Sequence, residues 1–136
     1  MRKKNAIAEF SSQRSEALIK SYRESLARQS VISTQKAFQE AVDAPAPRFW
    51  VSEARAMRVI TMMKKSFDIL EGMHPEKQLM YMEIYERVMQ KQKENPLIPL
   101  GDIVFEVVNS PAPRSYLTWR WCRKIVRTSN SQPPCL

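Results

Sequence analysis

The sequence predicts an all-α protein, a compact helical domain of about five or six helices carrying an internal duplication. Three observations lead there. Only 2 of 136 residues are glycine, while Met, Glu, Lys, Arg and Gln, which lose little freedom in a helix, are plentiful. Apolar residues recur at three- and four-residue steps along most of the chain. Prolines gather in two short joints, "EAVDAPAPRFWVS" at Glu40–Ser52 and "EVVNSPAPRSYLT" at Glu106–Thr118, which stand 66 residues apart and share 6 of 13 residues, with 5 more exchanged like for like.

From Ala6 to about Arg28, Leu18, Tyr22 and Leu26 make a narrow apolar stripe on a charged helix. "SVIST" breaks it and supplies a cap, and "QKAFQEAVD" continues as a short helix with Ala37, Phe38, Ala41 and Val42 on one side. Pro45 and Pro47 lack an amide hydrogen and hold φ near −65°, and each pushes the alanine before it out of the α region, so this helix stops near Asp43. Ser52 is a suitable N-cap for a helix in which Ala56, Ile60, Met63, Phe67 and Leu70 face inward, closing at Gly72. His74 caps the next helix, with Pro75 and Glu76 in its first turn, Leu79, Ile84, Val88 and the tyrosines on its buried side, and Asn95-Pro96 at its end. Leu100–Val108 has strong β propensity, but its counterpart in the first copy is helical, so the repeat assigns it to a short buried helix. Thr118 caps a last helix with Trp119, Cys122 and Val126 inward, and the methionines and tryptophans read as packing residues.

The expected organisation is an N-terminal amphipathic helix over 1–33, able to dock loosely, and a helical core over 34–128. That core holds two halves at about 34–72 and 98–128, packed with approximate two-fold symmetry, and an intervening helix at 75–95. A flexible tail over 129–136 ends the chain. Within each half the order is short helix, proline joint, longer helix. Pro45, Pro47 and Trp50 in the first joint, and Pro111, Pro113 and Tyr116 in the second, would set the angle between the helices at small entropic cost. The arrangement resembles a helix-turn-helix element. Its seven-residue connection, Pro45–Val51, is longer than the standard turn.

Charge is uneven. The formal net charge is +8; segments 1–30, 31–66, 67–110 and 111–136 carry basic/acidic side chains of 7/3, 6/3, 4/8 and 5/0, so positive charge collects at the ends around an acidic middle. Such a distribution attracts a polyanion. Arg55, Arg58 and Lys65 on the first long helix, and Arg120, Arg123, Lys124 and Arg127 on the second, fall at helical spacing and are the candidate nucleic-acid contacts. Ser52 and Thr118 could add phosphate contacts at the helix starts. Arg48 and Arg114, on the stiff joints, either brace helix-end carbonyls or point toward an anion.

Other classes lose support. Cys122 and Cys135 offer neither a disulfide framework nor zinc-type spacing, which points to a reducing cytoplasm. The start "MRKKNAIAEF" lacks the apolar stretch of a signal peptide, and no apolar run reaches membrane-spanning length. With no Gly-rich phosphate loop, nucleophile elbow or acid pair, no catalytic residue, cofactor, metal or small-molecule substrate is expected, and the chain is read as non-enzymatic.

The motifs "PAPRFWVS" and "PAPRSYLT", with "MYMEIYERV" and "LGDIVFEVVNS" between them, resemble a group of small uncharacterised proteins carried by bacterial prophages and other mobile elements. The likeness spans Phe38 to Val126. It implies a mobile-element setting, where DNA handling is frequent, and assigns no residue a role. Ser115 departs from the first copy's Phe49, which weakens packing at the second joint. Together these readings lead to the expectation of a small basic protein that binds double-stranded DNA, a regulator or accessory factor, with RNA as a variant of the same class. The alternative is a structural or adaptor protein acting through protein contacts, including self-association through the N-terminal helix.

Overall fold

A computed structural model describes the backbone of residues 2–131 and the side chains of 11–128. Six α-helices make up the described residues: α1 (Arg2–Arg28), α2 (Thr34–Asp43), α3 (Glu53–Lys65), α4 (Pro75–Glu94), α5 (Leu100–Val108) and α6 (Trp119–Ser131), with a 3₁₀ turn at Phe67–Leu70. No strand occurs among them. α6 runs through Ser131, three residues into the expected tail; 132–136, with Cys135, lie outside the described residues.

Local chemistry sets most boundaries. Ser33 and Ser52 are extended, and their hydroxyl oxygens accept the amides of Lys36 and Arg55 at 3.3 and 3.2 Å. His74 caps α4 in the same way, its Nδ1 accepting the Glu76 amide at 3.1 Å, with Pro75 in the first turn. Replacing Ser52 by alanine is expected to cost about 1 kcal/mol, read as a lowered midpoint of thermal unfolding with an unchanged helical signal.

Two sequence assignments are corrected. α3 stops at Lys65 rather than at Gly72, because Ser66 takes an extended conformation (φ −167°, ψ 144°) and its hydroxyl accepts the Asp68 amide, a local bond that competes with helix continuation. Phe67 is thereby turned outward, 49% exposed, against the edge of Tyr85, while Gly72, at φ +83°, does end the 3₁₀ turn region. On α4 the buried stripe is Met80, Tyr81, Ile84 and Val88, and Leu79, one position off that stripe, is exposed.

The chain forms two compact units, and they do not follow the sequence halves. The first holds the described residues up to Ala46 and those from Pro113 on; the second holds Pro47–Ala112. Both crossings fall inside a proline joint, before the second proline of each. In the first unit α2 packs on α1 and α6; in the second, α5 packs on α4 and α3. Each short helix is therefore covered by the long helix that follows the other joint. The helix-turn-helix expectation, in which the helices flanking a joint pack as a pair, is not the pairing inside either unit.

The two units match internally at the 66-residue offset. α2 and α5 begin at 34 and 100, α3 and α6 run 53–65 and 119–131, and α1 and α4 end at 28 and 94. Buried Ala37, Phe38, Ala41 and Val42 correspond to buried Ile103, Val104, Val107 and Val108. The Ser115 amide donates to Val42 O at 2.9 Å in the first unit, and the Phe49 amide to Val108 O at 3.0 Å in the second. Ser25 donates to the Glu40 carboxylate in the first, and Lys91 pairs with Glu106 at 2.7 Å at the counterpart positions. The helix read as intervening, α4, thus stands where α1 stands. α1 is packed over its C-terminal half, with Leu18 and Ser25 buried.

Candidate nucleic-acid interface

The joint arginines are used as braces. Arg48 donates from Nε to Phe49 O (2.9 Å) and from Nη2 to Val51 O (2.8 Å), and lies 3.9 Å from Glu53. Burial lowers its pKa, partly offset by Glu53. Burial would raise the Glu53 carboxyl, but its own backbone amide, Asn109 and Arg48 together hold it below the usual carboxylate range. Arg114 donates to Asp43 at 3.2 Å and lies over the Tyr116 ring at 5.3 Å. Arg48 thus meets carbonyls of its own joint rather than of a helix end, and Arg114 meets the carboxylate of Asp43 at the end of α2. Pro45, Pro47, Pro111 and Pro113 are exposed, and Trp50 and Tyr116 are buried. Tyr116 sits at φ 58°, a left-handed conformation costly for a bulky residue, and the residue is 8% exposed.

The basic residues of α3 are only partly available. Arg55, Arg58 and Lys65 are all exposed, and Arg55 donates from Nε to the Tyr81 hydroxyl at 3.3 Å. They share their unit with the acidic middle of the chain. Ser52 and Thr118 both serve as N-cap acceptors, Thr118 to the Trp121 amide at 3.2 Å, which leaves each hydroxyl hydrogen to donate.

α6 is different. Arg120, Lys124 and Arg127 are exposed, lying within about 60° of arc on a helix that turns ~100° per residue. Arg123, half-buried, flanks them, and none of the four has an ion-pair partner among the described residues. The opposite face carries buried Cys122 and Val126, which join Leu18, Phe38, Ala41 and Val42 in the core of the first unit. The cations rest on tryptophan faces: Arg120 and Arg123 lie 5.2 and 5.4 Å from the centre of Trp119, and Lys124 4.9 Å from that of Trp121. Such cation–π contacts, about 0.5–1 kcal/mol at exposed sites, limit how far these side chains roam before they meet a ligand.

Sequence reasoning placed both tryptophans in packing. Trp119 does pack on the core cluster, but Trp121 is 41% exposed and carries Lys124 instead. The signal was present in "WRWCRK", since residues three and four apart on a helix are neighbours, as Trp121 with Lys124 and Trp119 with Arg123 are. Beside this face lies a groove of about 310 Å³, lined by Tyr22, Gln35 and Phe38 from α1 and α2 and by Trp119, Arg123 and Arg127 from α6.

Cys122 is fully buried and burial pushes its thiol up from 9.0 to about 11. The thiolate is the reactive form, so iodoacetamide at pH 8 is expected to leave Cys122 unmodified in the folded protein and to alkylate it in denaturant, as read by peptide mass spectrometry. Its sign for stability follows: the native chain keeps this proton while the unfolded chain loses it, so stability falls as pH rises from about 9 to about 11.

Among the described residues no three His, Cys, Asp or Glu side chains converge as a metal site, and no helix is long and apolar enough to cross a membrane. Comparison with protein-family models, with curated proteins and with solved structures finds no match to this chain.

Proposed function

We propose that the protein binds DNA through the exposed face of α6, in the prophage or mobile-element setting that its proline-arginine motifs suggest, and that it does so without catalysis. The observation that carries this reading is the set Arg120, Arg123, Lys124 and Arg127, free of carboxylate partners among the described residues, with the first three held on Trp119 and Trp121. Other cations near the joints are engaged internally, as with Arg48, Arg114, Arg87 and Lys91. A phosphate backbone is the partner that a compact cationic face with no acidic residue in segment 111–136 suits.

The test is a titration of labelled duplex DNA at graded ionic strength. Four phosphate contacts predict that log K falls against log salt with a slope of roughly −3 to −4. No shift of the duplex at low salt removes this reading. A second reading, an adaptor acting through protein contacts, is favoured by exposed Leu97, Ile98 and Phe105 at and after the α4–α5 turn. Light scattering separates the two: a stable assembly indifferent to salt and DNA belongs to the adaptor.

A further inference from the structure

The groove beside α6 is not a requirement of the fold. The second unit repeats the start of α2, the span of α6 and the end of α1 at the 66-residue offset, yet at the counterparts of Tyr22, Phe38, Arg123 and Arg127 it carries Val88, Val104, Met57 and Thr61. A three-helix set with the same packing partners therefore closes with uncharged, non-aromatic residues at all four positions. Aromatic rings and guanidinium groups in the first unit are additions to that scaffold.

Their arrangement has a definite chemistry. Tyr22 stacks on Phe38 with centroids 4.5 Å apart and planes 10° from parallel, and Phe38 is buried while Tyr22 is half-exposed to the groove. Arg123 and Arg127 line the other side from α6. The wall is thus aromatic on one side and cationic on the other, with Gln35, in the first turn of α2, at the rim. At about 310 Å³ the groove stands at the small end of ligand sites, too small for a duplex and matched to one flat group with one anion.

We propose that this groove holds a single unpaired nucleotide of a nucleic-acid strand, its phosphate between Arg123 and Arg127 and its base against Tyr22. The assignment rests on the reading of α6 as a nucleic-acid face and names what that face selects: an overhang, end or junction, in preference to uninterrupted duplex. Base–aromatic stacking is indifferent to sequence because every base has a π-face, so the preference is for structure rather than for a target site.

The experiment uses the full chain, with fluorescence anisotropy on a blunt duplex, on the same duplex with a short single-stranded overhang, and with a free nucleoside monophosphate as competitor. The overhang is expected to bind roughly tenfold tighter than the blunt duplex, the low end of what one stacked base contributes. Tyr22→Val, which installs the residue of the second unit, should erase that advantage and leave blunt-duplex affinity unchanged. Gln35→Glu should lower affinity for the overhang while holding or raising the melting temperature, since an acid in the first turn of α2 favours the helix and repels a phosphate. That variant keeps the question answerable if Tyr22→Val folds poorly.

Equal affinity for blunt and overhanging duplex, with both abolished on reversing the α6 charges, overturns the nucleotide assignment and leaves the DNA reading standing. Binding of neither duplex overturns the DNA reading itself. Binding of the free nucleotide alone, in a Tyr22-dependent way, overturns the assignment to a strand.

Discussion

Reversing Arg120, Lys124 and Arg127 together to glutamate is expected to abolish duplex binding without unfolding the protein. Each reversal removes two charges, so the formal net charge goes from +8 to +2, and three phosphate partners become three repulsions. In counterion terms the salt slope should shrink by roughly 0.9 for each phosphate that is no longer neutralised. The fold has little to lose: the three side chains are exposed and make no ion pair among the described residues, and the interactions of Arg120 with Trp119 and of Lys124 with Trp121 are worth only about 0.5–1 kcal/mol each. The matched control is Arg58, Lys64 and Lys65 of α3, also exposed, whose reversal reaches the same net charge. If the α3 variant weakens binding as much as the α6 variant, overall charge is responsible and the α6 face has no special part. Wild-type affinity in the α6 variant would end the proposal.

Phe49→Ala is expected to be among the most destabilising single changes, at about 3–5 kcal/mol. The ring is 0% exposed, flanked by buried Trp50 and Val51, and the Arg87 guanidinium lies 5.1 Å from its centre. Its amide donates to Val108 O, so the ring is seated where the joint meets the end of α5. Truncation leaves a cavity bounded by a stiff proline segment that has little room to collapse. Against a typical domain stability of roughly 5–15 kcal/mol, that loss should move the urea midpoint far to lower concentration with little change in slope. The counterpart Ser115 makes the same kind of backbone bond, to Val42 O, but has no ring to remove, so Ser115→Ala should cost far less. A cost for Phe49→Ala as small as that of Ser115→Ala would mean that the backbone bond, which both variants keep, anchors the joint without the ring.

These two positions also show how far the sequence can be read. Shared prolines, arginines and cap residues revealed the joints, and the repeat turned the strand-like "LGDIVFEVV" into a helix, which α5 is over Leu100–Val108. The same repeat concealed something. α1 and α4 occupy matching positions, but Leu18 against Ile84 and Ser25 against Lys91 share so little identity that α4 reads as an extra helix. The Lys91–Glu106 pair takes the place of the Ser25–Glu40 hydrogen bond with different chemistry, a substitution visible only once both pairs are seen. The candidate basic stripes were legible as helical spacings. That Arg55 turns to Tyr81 while Arg120 and Lys124 rest on tryptophans was not.

By itself the sequence determined the helices, their caps and the two extended joints, because those follow from forces that act within a turn or two: missing proline amides, side-chain caps and apolar spacing. Only the tertiary structure decided that α6 completes the set of α1 and α2 while α3 completes that of α4 and α5, and that Arg48 and Arg114 brace backbone and carboxylate. It also decided that Tyr116 adopts φ 58°. The reason is that α3 and α6 each present an apolar stripe, and the spacing of a stripe does not name the short helix it meets. Which one is taken depends on burial and chain closure between segments far apart in sequence, where local preference has no vote.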